Sequence, residues 1–254
     1  MGNVLLRLPS AFTGLSIEQV YEKHGTPNSQ AVTRLDGSPL SPNVPPTATP
    51  PIWLGKASDE LLPSETRVLL TDFGEAFSPS TTTQRESYTP LSVTPPEVRF
   101  PVDQGQGQDK GLSFPSDIWT LGCTVWAILG QKPLFEDFLA TEDDITAEWI
   151  DVIGKLPRGW WERWEARYEY FDESGHPRSD RYVRSWEERF ERHIQQARRD
   201  AGIETVEADE KEAIRDMLSS MLVFRPEMRA TVMDVLECEW MVKWALPEYR
   251  RAFL

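Results

Sequence analysis

"SDIWTLGCTVWAIL", residues 116–129, is the stretch of sequence that decides the fold. Its apolar residues fall on every side of a helix with 3.6 residues per turn, whereas a surface helix carries them on a single stripe. Ser116 stands at its start, and serine is a favoured N-cap residue. A helix that is apolar all round is buried, so the sequence predicts a long helix at the centre of a domain, capped by Ser116.

Helical patterns continue after this stretch to the end of the sequence. The predicted segments lie near 144–153, 159–171, 182–200 and 208–223, with a last helix from Thr231. Asp234 completes a capping-box pattern with Thr231. The segment 182–200 is heavily charged around one apolar stripe of Trp186, Phe190 and Ile194, which predicts a surface helix. A further cluster of Trp160, Trp161 and Trp164 has helical spacing and predicts a packed face.

The region before the central helix has few regular elements. Residues 2–8 and 67–72 are predicted strands, and 16–25 is a predicted helix with Ser16 as N-cap and Gly25 as its stop. Residues 26–63 are too rich in proline for a helix or a central strand and predict a surface insert. The span 75–115 is predicted loop, with a polar linker at 103–111. We therefore expect a mainly α protein of the α+β type, in which a small β hairpin precedes a helical body.

Composition narrows the function classes. A formal charge of −14 argues against nucleic acid as a direct partner, because phosphate backbones need Lys/Arg surfaces. The same charge suits a basic protein partner or serves solubility alone. The longest apolar run, 118–129, is far shorter than a membrane span, so no membrane partner is expected. Cys123 and Cys238 lie in apolar helical patterns and predict buried thiols of a reducing, intracellular compartment, cytoplasm or nucleus.

A second stretch, "RVLLTDFGEAFSPS" at 67–80, carries the chemistry. A hydrophobic strand ends in Asp72-Phe73-Gly74, where Gly74 permits a sharp turn. A carboxylate at the end of a strand is a hard oxygen ligand of the kind that Mg²⁺ prefers. The tripeptide alone is a weak signal, because it recurs by chance in many proteins.

The strength of the signal comes from further landmarks in a fixed order. Pro95-Pro96-Glu97 follows, then Asp117 in the central helix, and finally Arg229 within "RPEMRATVMDVLECEW" (225–240). In this order the chain resembles the C-terminal lobe of eukaryotic protein kinases. The resemblance extends over residues 1–254, with the insert at about 26–63 interrupting a partial kinase domain.

The resemblance implies a role for each landmark. Asp72 is implied to bind magnesium, and residues 73–97, beginning with Phe73-Gly74, to form the activation segment. Glu97 and Arg229 are implied to form a buried bidentate ion pair. Asp117 is implied to anchor the central helix, although an acidic residue also suits any helix start.

The resemblance also implies a nucleotide site. Asn3 corresponds to the second metal ligand, and Leu5, Thr71 and Asp72 to residues that contact the cofactors ATP and Mg²⁺. The aspartate that accepts the substrate proton would precede Met1. The expectation is therefore that the N-terminal half of the kinase is missing, that no catalytic residue is present, and that this chain alone is inactive.

The sequence leaves more than one possibility open for the subfamily and for the function. The insert, "DFGEAFSP" (72–79) and "IGKLPRGWWERWEARYEYF" (153–171) are most similar to fungal SR-protein-kinase-like Ser/Thr kinases, which implies basic Arg/Ser-rich protein substrates. Two features depart from the pattern: Pro95 replaces alanine, and "SYTPLSVT" (87–94) lacks an arginine found in related kinases. The two functions left open are a Ser/Thr kinase and a pseudokinase-like interaction module without catalysis.

Overall fold

The structure is a computed structural model that describes residues 3–8, 10–52, 54–55, 60–101 and 111–253. The chain divides into two compact units, one reaching to Asp72 and the other running from Phe73 to Ala252. We call them the first unit and the helical unit. Residues 103–110 of the predicted polar linker lie outside the described residues.

The first unit is built on two small antiparallel pairs of strands. β1 (Val4–Leu6) pairs with β4 (Val68–Leu70), and β2 (Gln30–Ala31) pairs with β3 (Thr47–Ala48) inside the proline-rich insert. The two predicted strands are thus confirmed but shorter, and single backbone hydrogen bonds extend the pair at both ends, from the Arg7 N–H to the Arg67 carbonyl (2.7 Å) and from the Thr71 N–H to the Asn3 carbonyl (3.0 Å). The remaining elements are α1 (Ser10–Thr13), α2 (Ile17–His24) and a 3₁₀ turn at Pro63–Glu65.

α2 begins and ends as its local sequence predicts. The Ser16 hydroxyl accepts a hydrogen bond from the Gln19 backbone N–H (3.3 Å), and the Gln19 side chain accepts one from the Ser16 N–H (2.8 Å). Gly25 follows the helix with a positive φ of 86°, a conformation that glycine adopts without steric cost. None of the side chains that the structure describes in the first unit, in residues 3–8, 12–52, 54–55 and 60–72, is buried, so these residues form no hydrophobic core.

The helical unit is organised around α4 (Phe114–Gly130), the predicted central helix. Trp119, Cys123 and Trp126 on this helix are almost completely buried, which confirms the prediction of burial. The helix begins earlier than predicted, with Ser113 as N-cap in place of Ser116. Proline is well tolerated in a first helical turn, and Pro115 lies there, so the helix extends back through it.

The described part of this unit contains nine further α-helices besides α4. They are α3 (Pro96–Arg99), α5 (Glu142–Ile153), α6 (Arg158–Arg163), α7 (Arg167–Tyr170), α8 (Trp186–Phe190), α9 (Gln196–Asp200), α10 (Ala208–Met221), α11 (Val232–Glu237) and α12 (Leu246–Phe253). Short 3₁₀ turns cover Leu91–Val93 and Pro226–Met228, and π-helical turns cover Glu191–Gln195 and Met241–Ala245. The mainly α fold with a small β element is confirmed.

The core of the helical unit is unusually aromatic. Trp119 stacks on Phe135 with ring centroids 5.9 Å apart and meets Trp149 edge-on at the same distance. Trp160 and Trp164 are buried, and Trp161 is partly buried against the same core, which confirms the predicted packed face. Gly122 allows the chain at Leu222 to approach α4, since a Cβ there would lie 3.1 Å from the Leu222 side chain. Aromatic packing of this kind contributes to the burial that holds the helices together.

The segment predicted as a surface helix over 182–200 is packed more deeply than predicted. It runs from α8 through a π-helical turn into α9, and Arg189 and His193 are buried together with its apolar stripe. Burial of Arg189 is partly compensated, because its guanidinium donates to the backbone carbonyls of Leu134 (2.6 Å) and Arg184 (2.9 Å) and forms an ion pair with Glu148 at 3.5 Å, whereas one of its η nitrogens has no hydrogen-bond partner. Charge patterning could not reveal these partners, because Leu134 is distant in sequence.

Candidate functional site

The open end of the β1–β4 pair brings Asn3 and Asp72 together. The Thr71 backbone N–H donates to the Asn3 carbonyl (3.0 Å), which continues the ladder one step beyond the strands. The Asn3 side-chain amide then donates to an Asp72 carboxylate oxygen at 3.4 Å. The structure thus brings the two predicted metal ligands together.

Asp72 adopts an uncommon backbone conformation. Its φ of 64° lies in the left-handed region, which non-glycine residues seldom occupy, although aspartate tolerates it better than most. The predicted turn at Gly74 is present, but Gly74 has no positive φ, and the left-handed residue is Asp72. Backbone conformations of this kind cost free energy and cluster at functional sites.

Asn3 and Asp72 fit Mg²⁺ that arrives with phosphate. Both side chains carry hard oxygen donors, and the Asn3 amide must rotate to present its oxygen in place of its N–H. Among the described residues, no group of three or more His, Cys, Asp or Glu side chains forms a closed metal cage. Mg²⁺ commonly takes one or two protein ligands and fills its other positions with phosphate oxygens and water, so a two-residue set suits it.

The two other residues predicted to contact ATP lie beside this pair. Leu5 stands two positions after Asn3 on β1, so both occupy the same face of the strand, and its side chain is 45% exposed. The Thr71 hydroxyl donates to the Asn3 carbonyl at 3.4 Å. Thr71 therefore supports the position of Asn3 through both its backbone and its side chain.

Phe73 and Gly74 begin the helical unit. The Ala76 N–H donates to the Phe73 carbonyl (3.1 Å), which closes a turn around Gly74. The Phe73 side chain is exposed. Its ring is therefore not part of the core of the helical unit and is available to a ligand or a partner surface.

Glu97 and Arg229 form the predicted ion pair. The two Arg229 η nitrogens donate to the two Glu97 carboxylate oxygens at 2.9 and 2.6 Å, and the Arg229 side chain is 0% exposed. The Ser116 hydroxyl donates to Glu97 at 2.8 Å. The same hydroxyl accepts from the Ser113 N–H at 3.2 Å, so Ser116 is the third residue of the α4 capping box and also a donor to the buried carboxylate.

The remaining donors of Arg229 are also satisfied. They reach the backbone carbonyls of Val223 (2.7 Å), Pro115 (2.8 Å) and Phe224 (3.1 Å), and the guanidinium lies 5.1 Å from the centre of the Trp119 ring. A buried guanidinium with every N–H donor paired is held in one position. The pair therefore ties the segment that ends at Glu97 to the start of α4 and to the loop before α11.

Asp117 does not show the predicted anchoring contact. Its side chain is exposed at the surface of α4, and no hydrogen-bond partner for its carboxylate exists among the described residues. Partial burial nevertheless raises the pKa of this carboxyl. The position in the first turn of α4 agrees with the alternative explanation, in which an acidic residue interacts with the helix N-terminus.

An acidic cleft in the helical unit was missed by sequence reasoning. We define it by its lining residues Arg99, Phe100, Glu142, Asp143, Arg163, Trp164, Glu165, Ala166 and Glu169. Asp143 is neutralised there, since it forms an ion pair with Arg99 and accepts a hydrogen bond from the Trp164 indole at 2.6 Å. Glu142, Glu165 and Glu169 are exposed and pair with no cation in the described part of the chain. The acidic run 142–144 was visible in the sequence, but its proximity to the side chains that follow α6 was not.

Comparison with known proteins identifies a family. A family model described as the protein kinase domain matches residues 56–241, a span that includes Asp72, Glu97, Asp117 and Arg229 and begins after Asn3 and Leu5. No functionally curated protein matches the chain. In the part of the chain that the structure describes, no helix combines the length and apolar character needed to cross a membrane.

Proposed function

We propose that this chain, which belongs to the protein kinase family, forms the C-terminal part of an ATP-dependent protein serine/threonine kinase. The proposal includes the full span 1–254 as one partial kinase domain interrupted by the insert. The observation that carries it is the Asn3–Asp72 pair: two oxygen-bearing side chains 3.4 Å apart at the end of a ladder, one of them held in a left-handed conformation. An unfavourable backbone conformation beside a polar pair is typical of functional sites, and it supports the proposal of a ligand site here.

In this proposal Asp72 and Asn3 hold the Mg²⁺ that accompanies ATP, which would neutralise charge on the transferring phosphate. Leu5 lies on the same face of β1 as Asn3 and offers an apolar surface to the adenine base. Thr71 keeps Asn3 in register with Asp72. Phosphoryl transfer depends mostly on positioning and electrostatic stabilisation, which are the contributions that such residues make.

The Glu97–Arg229 pair is assigned a structural role in the same reaction. It fixes the end of the segment 73–97 against the helical core, with both side chains shielded from water. Thr120 and Ser92 support this attachment, since the Thr120 hydroxyl donates to the Val93 carbonyl (3.2 Å) and the Ser92 hydroxyl to Asp137 (2.7 Å). A segment fixed at its end can present a protein substrate in a reproducible position.

We further propose that the protein substrates are basic, of the Arg/Ser-rich type. The acidic cleft supports this, because Glu142, Glu165 and Glu169 offer exposed carboxylates that have no cation of their own. The net charge of −14 would also favour the encounter with a cationic partner at low ionic strength. Charge complementarity of this kind contributes more to association rate and selectivity than to affinity.

A second candidate, an interaction module without catalysis, is favoured by one observation. Leu5, Leu6, Leu69 and Leu70 on the β1–β4 pair are 45–65% exposed, which leaves apolar surface on both faces of the strands. Exposed apolar patches often mark contact sites for other proteins. In this alternative the Asn3–Asp72 pair would have no ligand.

Mg²⁺-dependent nucleotide binding separates the two candidates. Calorimetric titration with ATP in the presence and absence of Mg²⁺ should show binding that depends on the metal and is lost in Asp72→Ala. Asp36→Ala is a matched control, because Asp36 is an exposed acidic residue of the insert that pairs only locally with Arg34. Equal binding by the wild-type chain and Asp72→Ala, or no binding at all, would reject the kinase assignment of this pair and favour the interaction module.

The substrate class is tested by binding of an Arg–Ser repeat peptide. Charge reversal in Glu165→Lys and Glu169→Lys should weaken binding by about 0.2–1 kcal/mol per charge, since exposed charge pairs contribute in that range. The effect should shrink as salt is added. Glu204→Lys changes an exposed residue outside the cleft and controls for net charge. If the cleft variants and the control lose affinity equally, the cleft is not the binding site.

A further inference from the structure

The loop between α4 and α5 exposes two adjacent apolar side chains. Phe138 and Leu139 are each 89% exposed, the highest values for large apolar side chains in the described part of the helical unit. Single exposed apolar residues are common on protein surfaces and need no explanation. A consecutive pair that is almost completely exposed to water is less common, and hydration of its apolar surface is unfavourable.

Leu139 also has an unfavourable backbone conformation. Its φ is 57°, in the left-handed region, where a branched apolar residue has no side-chain hydrogen bond to compensate the steric cost. Glycine or asparagine would satisfy this turn at lower cost. Stability of the folded chain therefore does not explain why leucine occupies the position.

The loop is held in place on both sides of this pair. Before it, Asp137 accepts hydrogen bonds from the Ser92 hydroxyl (2.7 Å) and the Ser92 N–H (3.4 Å). After it, the Ala140 N–H donates to the Asp137 carbonyl (3.3 Å), and Thr141 caps α5. The two apolar side chains are therefore presented from an anchored turn that is attached to the segment 73–97 through Ser92.

The surroundings define the chemistry of a partner. Glu142 of the acidic cleft follows Leu139 by three residues, which is at most about 10 Å of extended chain. A peptide that crosses this distance meets an apolar surface at one end and exposed carboxylates at the other. The complementary ligand has an apolar side chain close to basic residues.

We propose that Phe138 and Leu139 form an apolar docking contact for the protein substrate, which binds with an apolar residue on this pair and adjacent basic residues in the acidic cleft. The inference rests on the function proposed above and adds a specificity determinant to it. A purely basic repeat would occupy the cleft alone. A repeat that contains a correctly spaced apolar residue would use both contacts.

The test compares two kinds of labelled peptide by fluorescence anisotropy. The parent is an Arg–Ser repeat octapeptide, and the second kind is a set in which each serine in turn is replaced by leucine. At least one leucine peptide should bind the wild-type chain about fivefold or more tightly than the parent, because a leucine side chain leaves water. This gain should disappear in the double variant Phe138→Ser, Leu139→Asn and in Leu139→Gly, whereas binding of the parent peptide should not change.

Thermal unfolding of the same variants separates docking from a structural role. Replacement of Leu139 by asparagine or glycine should leave the Tm unchanged or raise it, because the left-handed turn is better served. A retained leucine gain in the variants, no gain in the wild-type chain, or a marked loss of Tm would overturn the docking inference while the basic substrate class stands. Failure of the parent peptide to bind the wild-type chain would contradict that substrate class and the docking inference together.

Discussion

The two units of this protein each contain a polar pair, and the pairs differ in how they are enclosed. In the helical unit, Glu97 and Arg229 are shielded from water and every guanidinium donor is paired within the protein. In the first unit, Asn3 and Asp72 share one long hydrogen bond of 3.4 Å between exposed side chains. A closed pair has no capacity left for a ligand and acts on stability, whereas an open pair retains lone pairs that a cation can use.

The supporting structure differs in the same way. The helical unit has an aromatic core around α4, and the described residues of the first unit include no buried side chain. Stability within a protein is distributed unevenly, and segments with few buried contacts open at low cost. We therefore expect substitutions in the helical unit to change the free energy of unfolding and equivalent substitutions in the first unit to change mainly local order.

The largest expected effect comes from Arg229→Ala. Loss of the guanidinium leaves the Glu97 carboxylate buried without its partner, which should lower the free energy of unfolding by about 3–5 kcal/mol. Urea denaturation followed by tryptophan fluorescence measures the change. The control is Arg225→Ala, because Arg225 forms an exposed ion pair with Glu227 at 3.8 Å and should contribute little. Equal midpoints for the wild-type chain and Arg229→Ala would show that the pair does not hold the fold.

An intermediate effect is expected at helix caps, where both units use the same device. Thr231 caps α11 with Asp234 in a capping box, and Ser16 caps α2 with Gln19. Thr231→Ala should lower the free energy of global unfolding by about 1 kcal/mol. Ser16→Ala should instead increase amide hydrogen exchange within α2 and leave the global transition unchanged. Similar global losses for both variants would mean that the first unit unfolds together with the helical unit.

The smallest expected effect is a pH dependence at His193. Burial lowers the pKa of this imidazole, the Glu136 carboxylate 3.8 Å away opposes that shift, and the nearby cations Lys132, Arg189 and Arg184 reinforce it. A histidine whose folded pKa is depressed stabilises the fold above its unfolded pKa of 6.5, and that contribution is lost as the pH falls. Acidification from about pH 7.5 to about pH 5.5 should therefore lower the Tm.

This prediction is checked with a pair of histidine variants. His193→Gln should reduce the difference in Tm between the two pH values, because it removes the group that titrates. His176→Gln should retain the difference, since the His176 side chain is 77% exposed. A pH difference that persists fully in His193→Gln would assign it to other titratable groups. The neighbouring Glu136 carboxyl is not one of them: burial acts to raise its pKa, but hydrogen bonding and attraction from Arg184 outweigh burial and lower the pKa below 4.5, outside this pH range.

Part of the candidate site followed from the sequence, and part did not. The order of Asp72, Glu97 and Arg229 along the chain was sufficient to predict the ion pair through a family resemblance. The left-handed conformation of Asp72 was missed because Gly74 is the more permissive residue by intrinsic preference. The acidic cleft and the exposed Phe138–Leu139 pair were missed because exposure depends on what packs nearby, which no local pattern records.

The sequence by itself determined those features that depend on neighbours within a few residues. Capping at Ser16 and Thr231 and the all-round apolar character of α4 are of this kind, because they arise from hydrogen bonds and periodicity within one or two turns. Only the tertiary structure decided that the Ser116 hydroxyl donates to the Glu97 carboxylate as well as accepting from the helix N-terminus, and that Arg189 is buried. A buried polar group needs hydrogen-bond partners, and for these two side chains some of the partners are distant in the sequence and come together only when the chain folds.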